Sequence, residues 1–170
     1  SIMILKEFKP GVHLADFVQC YRIVHFKFDK SAPLPCKIYP PKPENVLHFF
    51  LKDGFAVEDS KGGKIYQPPI AFFGQRTGIT RQFTGSDFLN LQVVFQPTAI
   101  FRLTGIPSTE LTNHKIDATT IFPGGIQSTY EQLLHATTHQ QMLLIADKFI
   151  EGLVRKVKKE VHLLDAVSKL

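Results

Sequence analysis

Seven histidines, His13, His25, His48, His114, His135, His139 and His162, are the side chains in this chain best suited to hold a metal or move a proton. A metal centre needs three or four donors converging on one ion, which on a strand calls for a His-x-His pair with Glu or His further on. No His-x-His occurs. Only His135 and His139 are spaced i,i+4 on a predicted helix, and without a Glu beside the first they lack the general base of a zinc protease. They read as an exposed polar face, so no metal and no cofactor are expected. Cys20 and Cys36 lie too far apart for a CxxC pair and are too few for a disulfide scaffold, which points to two reduced thiols in a cytoplasmic protein. The sequence contains no Gly-x-Ser-x-Gly elbow, P-loop or Gly-x-Gly-x-x-Gly, and Glu58-Asp59 beside the Lys61 turn reads as a solvated hairpin tip. No catalytic residue is assigned, and an enzyme is not expected.

Binding chemistry has better candidates. His48 shares a strand face with Val46 and Phe50, and Arg81 shares one with Ile79 and Phe83. Where those faces look into a barrel, His48, Phe50 and Arg81 bring a cation and a switchable donor into an apolar cavity, a grip for a small anionic or polar effector. The alternative places the Arg81 head in water on an edge strand and makes His48 a hydrogen-bonded core residue. The net charge of +5 permits nucleic-acid contact without requiring it. Arg155, Lys156, Lys158 and Lys159 read either as a solvated helix end that complements the helix dipole or as a phosphate contact.

Such residues need elements to position them. All 11 prolines lie at or before Pro123, as do 14 of the 15 phenylalanines, whereas Gly152 is the only glycine after Gly125. Residues 1–123 therefore read as a β-rich barrel domain with short helices, 124–160 as helices that pack or dimerise, and 161–170 as the start of a linker. The clearest strand is Leu89–Gln96, where Leu89, Leu91, Val93 and Phe95 alternate with Asn90, Gln92, Val94 and Gln96, one face core and the other wet. Ile2–Phe8, Tyr21–Phe28, Cys36–Tyr39, Val46–Leu51, Phe55–Glu58, Ile70–Phe73 and Ile79–Phe83 are read the same way. Asp53-Gly54, Lys61-Gly62-Gly63 and Gly85-Ser86 supply turns between them. The class is α+β: an antiparallel barrel or sandwich followed by a helical segment.

Leu14, Phe17, Val18 and Tyr21 fall at helical spacing, and a second short helix runs from Pro97 to Gly105. Later helices are expected over Ser128–Thr138, Gln140–Lys158 and from about Val161 onward. In the middle one Leu143, Ala146, Ile150, Leu153, Val154 and Val157 form a broad apolar stripe, beyond what one contact surface uses. Ile150, Leu153, Val154 and Val157 are accordingly the candidate residues for a homodimer interface. No apolar run approaches the length of a membrane span, so no membrane partner is expected.

The order of several short motifs resembles the N-terminal domain of one branch of the AraC-type bacterial transcription regulators. They are Leu14-Ala15-x-Phe17-Val18-x-x-Tyr21, Pro41-x-x-x-x-Val46-Leu47-x-Phe49, Phe73-Gly74-Gln75, Val94-Phe95-x-Pro97, Phe101-Arg102-Leu103-x-Gly105-Ile106-Pro107 and Glu110-Leu111-Thr112-Asn113. The branch usually carries Trp after the position of Tyr21, where this chain has Arg22. The resemblance implies a cupin-like domain that binds a small-molecule effector, dimerises, or both. It also implies that DNA is read by a separate C-terminal domain with two helix-turn-helix units, to which His162–Val167 looks like the lead-in. A cupin-type enzyme or a stand-alone ligand-binding barrel is the alternative.

Overall fold

Short β-branched and phenylalanine-rich runs, punctuated by turn residues, satisfy their backbone groups by pairing sideways, and in the computed structural model they do so in two sheets. The structure describes residues 2–31 and 36–169. Its strands are β1 (Ile2–Phe8), β2 (Val18–Lys27), β3 (Cys36–Tyr39), β4 (Asn45–Lys52), β5 (Phe55–Glu58), β6 (Lys64–Tyr66), β7 (Ile70–Phe73), β8 (Thr80–Thr84), β9 (Asp87–Phe95) and β10 (Lys115–Asp117). The helices are α1 (Ala99–Thr104), α2 (Ile126–His135) and α3 (His139–Ser168). The large sheet has the order β1-β2-β9-β4-β7-β10 and the small one β3-β8-β5-β6, with antiparallel pairing throughout. The class is α+β as expected, and the two sheets form an open sandwich rather than a closed barrel.

The large sheet is buried on both sides. Along β4, Leu47, Phe49 and Leu51 join the core shared with the helices, while Phe50 joins a second core with Phe55 and Val57 of the small sheet. Ile23, Leu91, Val93 and Phe72 face the helices, and Val24, Phe26, Phe88 and Phe73 face the small sheet. The resulting layers run small sheet, large sheet, helices. Phe122, Ile126, Leu133, Met142, Ala146 and Ile150 sit in the same core as the strand residues. The compositional break at Pro123 is therefore not a break in the core.

Three elements differ from the sequence reading. Leu14 closes a short 3-10 turn, Val12–Leu14, and the chain is extended from Val18. The β2–β9 register shifts between Val18 and Cys20, a bulge that lets Val18 and Tyr21, three residues apart, both join the helix-side core; that spacing mimics a helix. The helices expected over Gln140–Lys158 and from about Val161 are one helix, His139–Ser168, because no glycine or proline interrupts it beyond Gly152. Arg155, Lys156, Lys158 and Lys159 consequently lie in mid-helix, far from the C-terminal carbonyls they were expected to complement. β6 and β10, three residues each, carry too little pattern to be read in advance.

The helical layer is fastened by polar contacts as well as by its apolar face. The Asp147 carboxylate of α3 accepts from the Tyr21 hydroxyl at 2.6 Å and from the Gly11 backbone N–H at 3.2 Å. Burial, reinforced by that bond to Asp147, raises the Tyr21 pKa far above its usual value, so the hydroxyl remains a donor. The Tyr130 hydroxyl of α2 donates to the Phe50 carbonyl at 2.7 Å. Ile150 and Val154 are buried in the domain's own core, which removes them from any subunit interface; Leu153 and Val157 remain half-buried. Beyond them α3 continues as an arm on which Val161, Leu163, Leu164 and Val167 are exposed.

Two glycines give opposite expectations. A Cβ on Gly74 would run into the Leu111 backbone carbonyl, whereas one on Gly152 meets nothing. Gly74→Ala should cost about 1–3 kcal/mol through forced backbone displacement, and Gly152→Ala, in the exposed middle of α3, should add roughly 0.5–1 kcal/mol. Urea denaturation of the two variants checks both signs.

Candidate functional site

Strand register decides which side chains meet between the sheets. On the inner face of the large sheet Glu7, Arg22, Gln92, His48 and Ala71 stand opposite one another across β1, β2, β9, β4 and β7. One row further on come Leu5, Val24, Asn90 and Phe50; on the other side are Val94, Val46, Phe73 and Lys115. A polar row thus crosses a largely apolar face. The small sheet supplies Lys37 and Tyr39 from β3, Gln82 from β8 and Phe55 from β5. Between the sheets lies a cavity of about 350 Å³, within the usual range of small-molecule sites.

Arg22 is locked in place. Its guanidinium grips Glu44 through two bonds of 2.7 and 2.8 Å and donates from Nε to Glu7 at 2.9 Å. The Glu44 bond is the main cause of an Arg22 pKa above its usual value, and the Arg22 bond likewise holds Glu44 below the ordinary carboxylate range. Beside this pair Lys42 and Arg76 form an isolated two-residue bridge, with backbone bonds of 3.1 and 3.0 Å in the two directions. Directly opposed residues project to the same side, so the bridge sets two cations at the cavity mouth.

His48 and Asn90 form the inner end. The Asn90 side-chain amide lies 3.0 Å from His48 Nδ1, and both residues are buried. The imidazole packs on Phe73 and Phe50, with ring centroids 4.3 and 5.3 Å away. Burial pushes its pKa down to about 3, opposed by the Asn90 bond and assisted by the positive charges of Arg76, Arg22 and Lys115. At neutral pH it is an uncharged hydrogen-bonding group. Asn90 Oδ1, sealed from solvent, has no hydrogen-bond partner.

His48 therefore stands on the cavity wall, as its strand face implied. Phe50 lies behind that wall, stacked on Phe55 at 4.9 Å. Arg81 is excluded from the site: it is exposed, opposite the exposed Ile38 and 3.5 Å from Glu58. The inward residue of β8 is Gln82, paired with Lys37 and Val57. Ile79 precedes the strand, 71% exposed, so its apolar character marked no inner face. The face of β9 expected to be wet instead turns Asn90 and Gln92 toward the cavity. Arg22, Glu44, Lys42 and Arg76 were not anticipated; the polar alternation of β9 was the available signal for this wall. Among the described residues, no three His, Cys, Asp or Glu side chains cluster as a metal site would require.

The family profile of a domain of unknown function, DUF6597, matches residues 6–117. The chain belongs to the DUF6597 family. The matched span holds every strand but the start of β1 and every cavity residue named above except Leu5, while α2 and α3 lie outside it. No curated protein matches the chain. Among solved structures, a crystal structure of cobalt(II) HppE in complex with Tris buffer is similar, at 15% identity and a TM-score of 0.38. That similarity covers 55% of this chain and about half, 53%, of the other.

The DUF6597 domain carries a pH signature. His48 binds a proton with ordinary affinity once unfolded but only near pH 3 when folded, so the unfolded state holds more protons between those values. Stability should therefore be full above about pH 6.5 and fall on acidification, by about 1.4 kcal/mol per pH unit where the difference is one whole proton. Urea denaturation from about pH 7 down to about pH 4.5 should show this slope, and His48→Asn should flatten it.

Proposed function

We propose that this DUF6597 domain is the ligand-sensing part of a cytoplasmic AraC-type transcription regulator, and that it binds its effector between the two sheets without transforming it. The observation that carries the reading is the cavity itself, walled by phenylalanine rings, with the hydrogen-bonded His48–Asn90 pair at its inner end. His48 supports binding over catalysis, because a pKa of about 3 leaves it unable to exchange protons usefully near neutrality. The regulator half of the proposal is supported by the motif order from Leu14 to Asn113, with DNA reading assigned to a separate domain.

Sensing requires that occupancy stabilise the folded chain. A screen of mixed metabolites should contain compounds that raise its melting temperature, by the equivalent of about 2.7 kcal/mol at a hundredfold excess over Kd. The variant Gln92→Phe, which fills the cavity from its half-buried wall, should lose that response. A screen with no stabilising compound of any charge, or equal stabilisation of the filled variant, would sink the proposal.

Dimerisation is assigned to the arm of α3. Val157, Val161 and Leu164 follow one another at spacings of four and three, the seam of a two-stranded coiled coil, and Val161 and Leu164 have no cover of their own. The occupant proposed is a second copy of the chain. Val161→Glu combined with Leu164→Glu should reduce the mass seen by sedimentation without lowering the melting temperature of the sandwich. An unchanged mass would assign the arm another role.

A further inference from the structure

We propose that the cavity selects a small organic acid: a carboxylate at the Lys42–Arg76 mouth and an apolar, preferably aromatic, body between Phe26, Phe73 and Phe88. This deepens the reading of the cavity as a ligand site and rests on it.

The charge argument comes from the backbone. The Lys42–Arg76 bridge holds two like charges side by side, an arrangement that repels in the absence of a counterion. Lys37 and Lys115 add to the same field. Among the described residues no carboxylate lies within salt-bridge distance of these four cations; Glu44, the nearest in electrostatic effect to Arg76, is already held by both arms of Arg22. Burial lowers the pKa of Arg76, Lys37 and Lys115, the mark of cations with incomplete hydration. An entering carboxylate supplies both the counter-charge and the acceptors, and the Arg76 guanidinium can grip it through two parallel bonds.

The rest of the ligand follows from the walls. Phe26, Phe73 and Phe88 present apolar rings to one part of the cavity, and flat rings suit edge or face contact with an aromatic body. Lys37 already sits 3.8 Å over the Phe26 ring, which ties the cationic side of the cavity to its aromatic side. Gln82 and Gln92, which also line the cavity, can pair with one hydroxyl on that body.

Calorimetry on the whole chain with three probes that share a 4-hydroxyphenyl body separates the possibilities. 4-Hydroxyphenylacetate should bind, its neutral amide should bind at least about tenfold more weakly, and the cationic amine tyramine more weakly still. Arg76→Gln should bring the acid down to the level of the amide and leave the amide unaffected, and Lys42→Gln, on the other side of the bridge, should do so in part. Amide or amine binding as tightly as the acid, or an acid affinity indifferent to both substitutions, overturns the charge assignment while the cavity remains a ligand site. Inorganic phosphate matching the acid reduces the mouth to an unspecific anion patch and also overturns it. Should none of the three probes bind, the class is wrong; the metabolite screen then shows whether neutral or cationic compounds preserve the cavity reading or whether both readings fall together.

Discussion

The large sheet of this domain must satisfy two buried faces at once, and nearly everything else follows from that constraint. A strand presents alternate residues to opposite sides, so β4 sends Leu47, Phe49 and Leu51 to the helices and Val46, His48 and Phe50 toward the small sheet. The helix side is filled to high density by aliphatic and aromatic groups. The other side is not: its middle row carries Arg22, Gln92 and His48, which cannot close on one another as phenylalanines do. Where polar side chains interrupt an apolar face, the sheets stay apart and a cavity remains.

Much of the scaffold could be read directly. β1, β3, β5 and β7 have the bounds their residue patterns suggested, because each is framed by proline, glycine or aspartate. The site was harder, for reasons that particular residues make plain. Asn90 and Gln92 alternate with Leu91 and Val93 as a solvent-facing row would, and a sequence does not say that a second sheet covers that row. Arg81 and Gln82 differ by one position, and with apolar Ile79 and Phe83 flanking Arg81 the pattern favoured the wrong one; a one-residue register change exchanges the two faces entirely. Arg76 and Lys42 lie in connecting segments whose meeting depends on a two-residue bridge, a non-local event with no periodic trace. Arg22 sits in the polar row between Glu7 and Gln92, and a single arginine among Tyr21, Ile23 and Val24 gave no periodic sign of that place.

Charge on the cavity wall is distributed unevenly, and this gives the two ends different physical characters. The Arg22–Glu44–Glu7 cluster is satisfied internally, with short bonds at every nitrogen of the guanidinium, and serves as rigid masonry. Arg76 is loosely held: a 3.4 Å contact to the Pro40 carbonyl and a position 5.7 Å from the Tyr39 ring. A group with long contacts can reorient at small cost, and a group with three short ones cannot. The cavity thus combines a fixed polar wall with an adjustable rim.

The continuity of α3 has a mechanical meaning. A 30-residue helix is about 45 Å of rod, and only its first half is seated in the core. Its root is pinned by Asp147 to the Tyr21 hydroxyl, on the strand whose next residue is Arg22. The seated half is thus tied one residue from the cavity wall, while the second half stands exposed. For a rigid rod held at one end, any tilt at the root would displace the far end most, because displacement grows with distance along the axis.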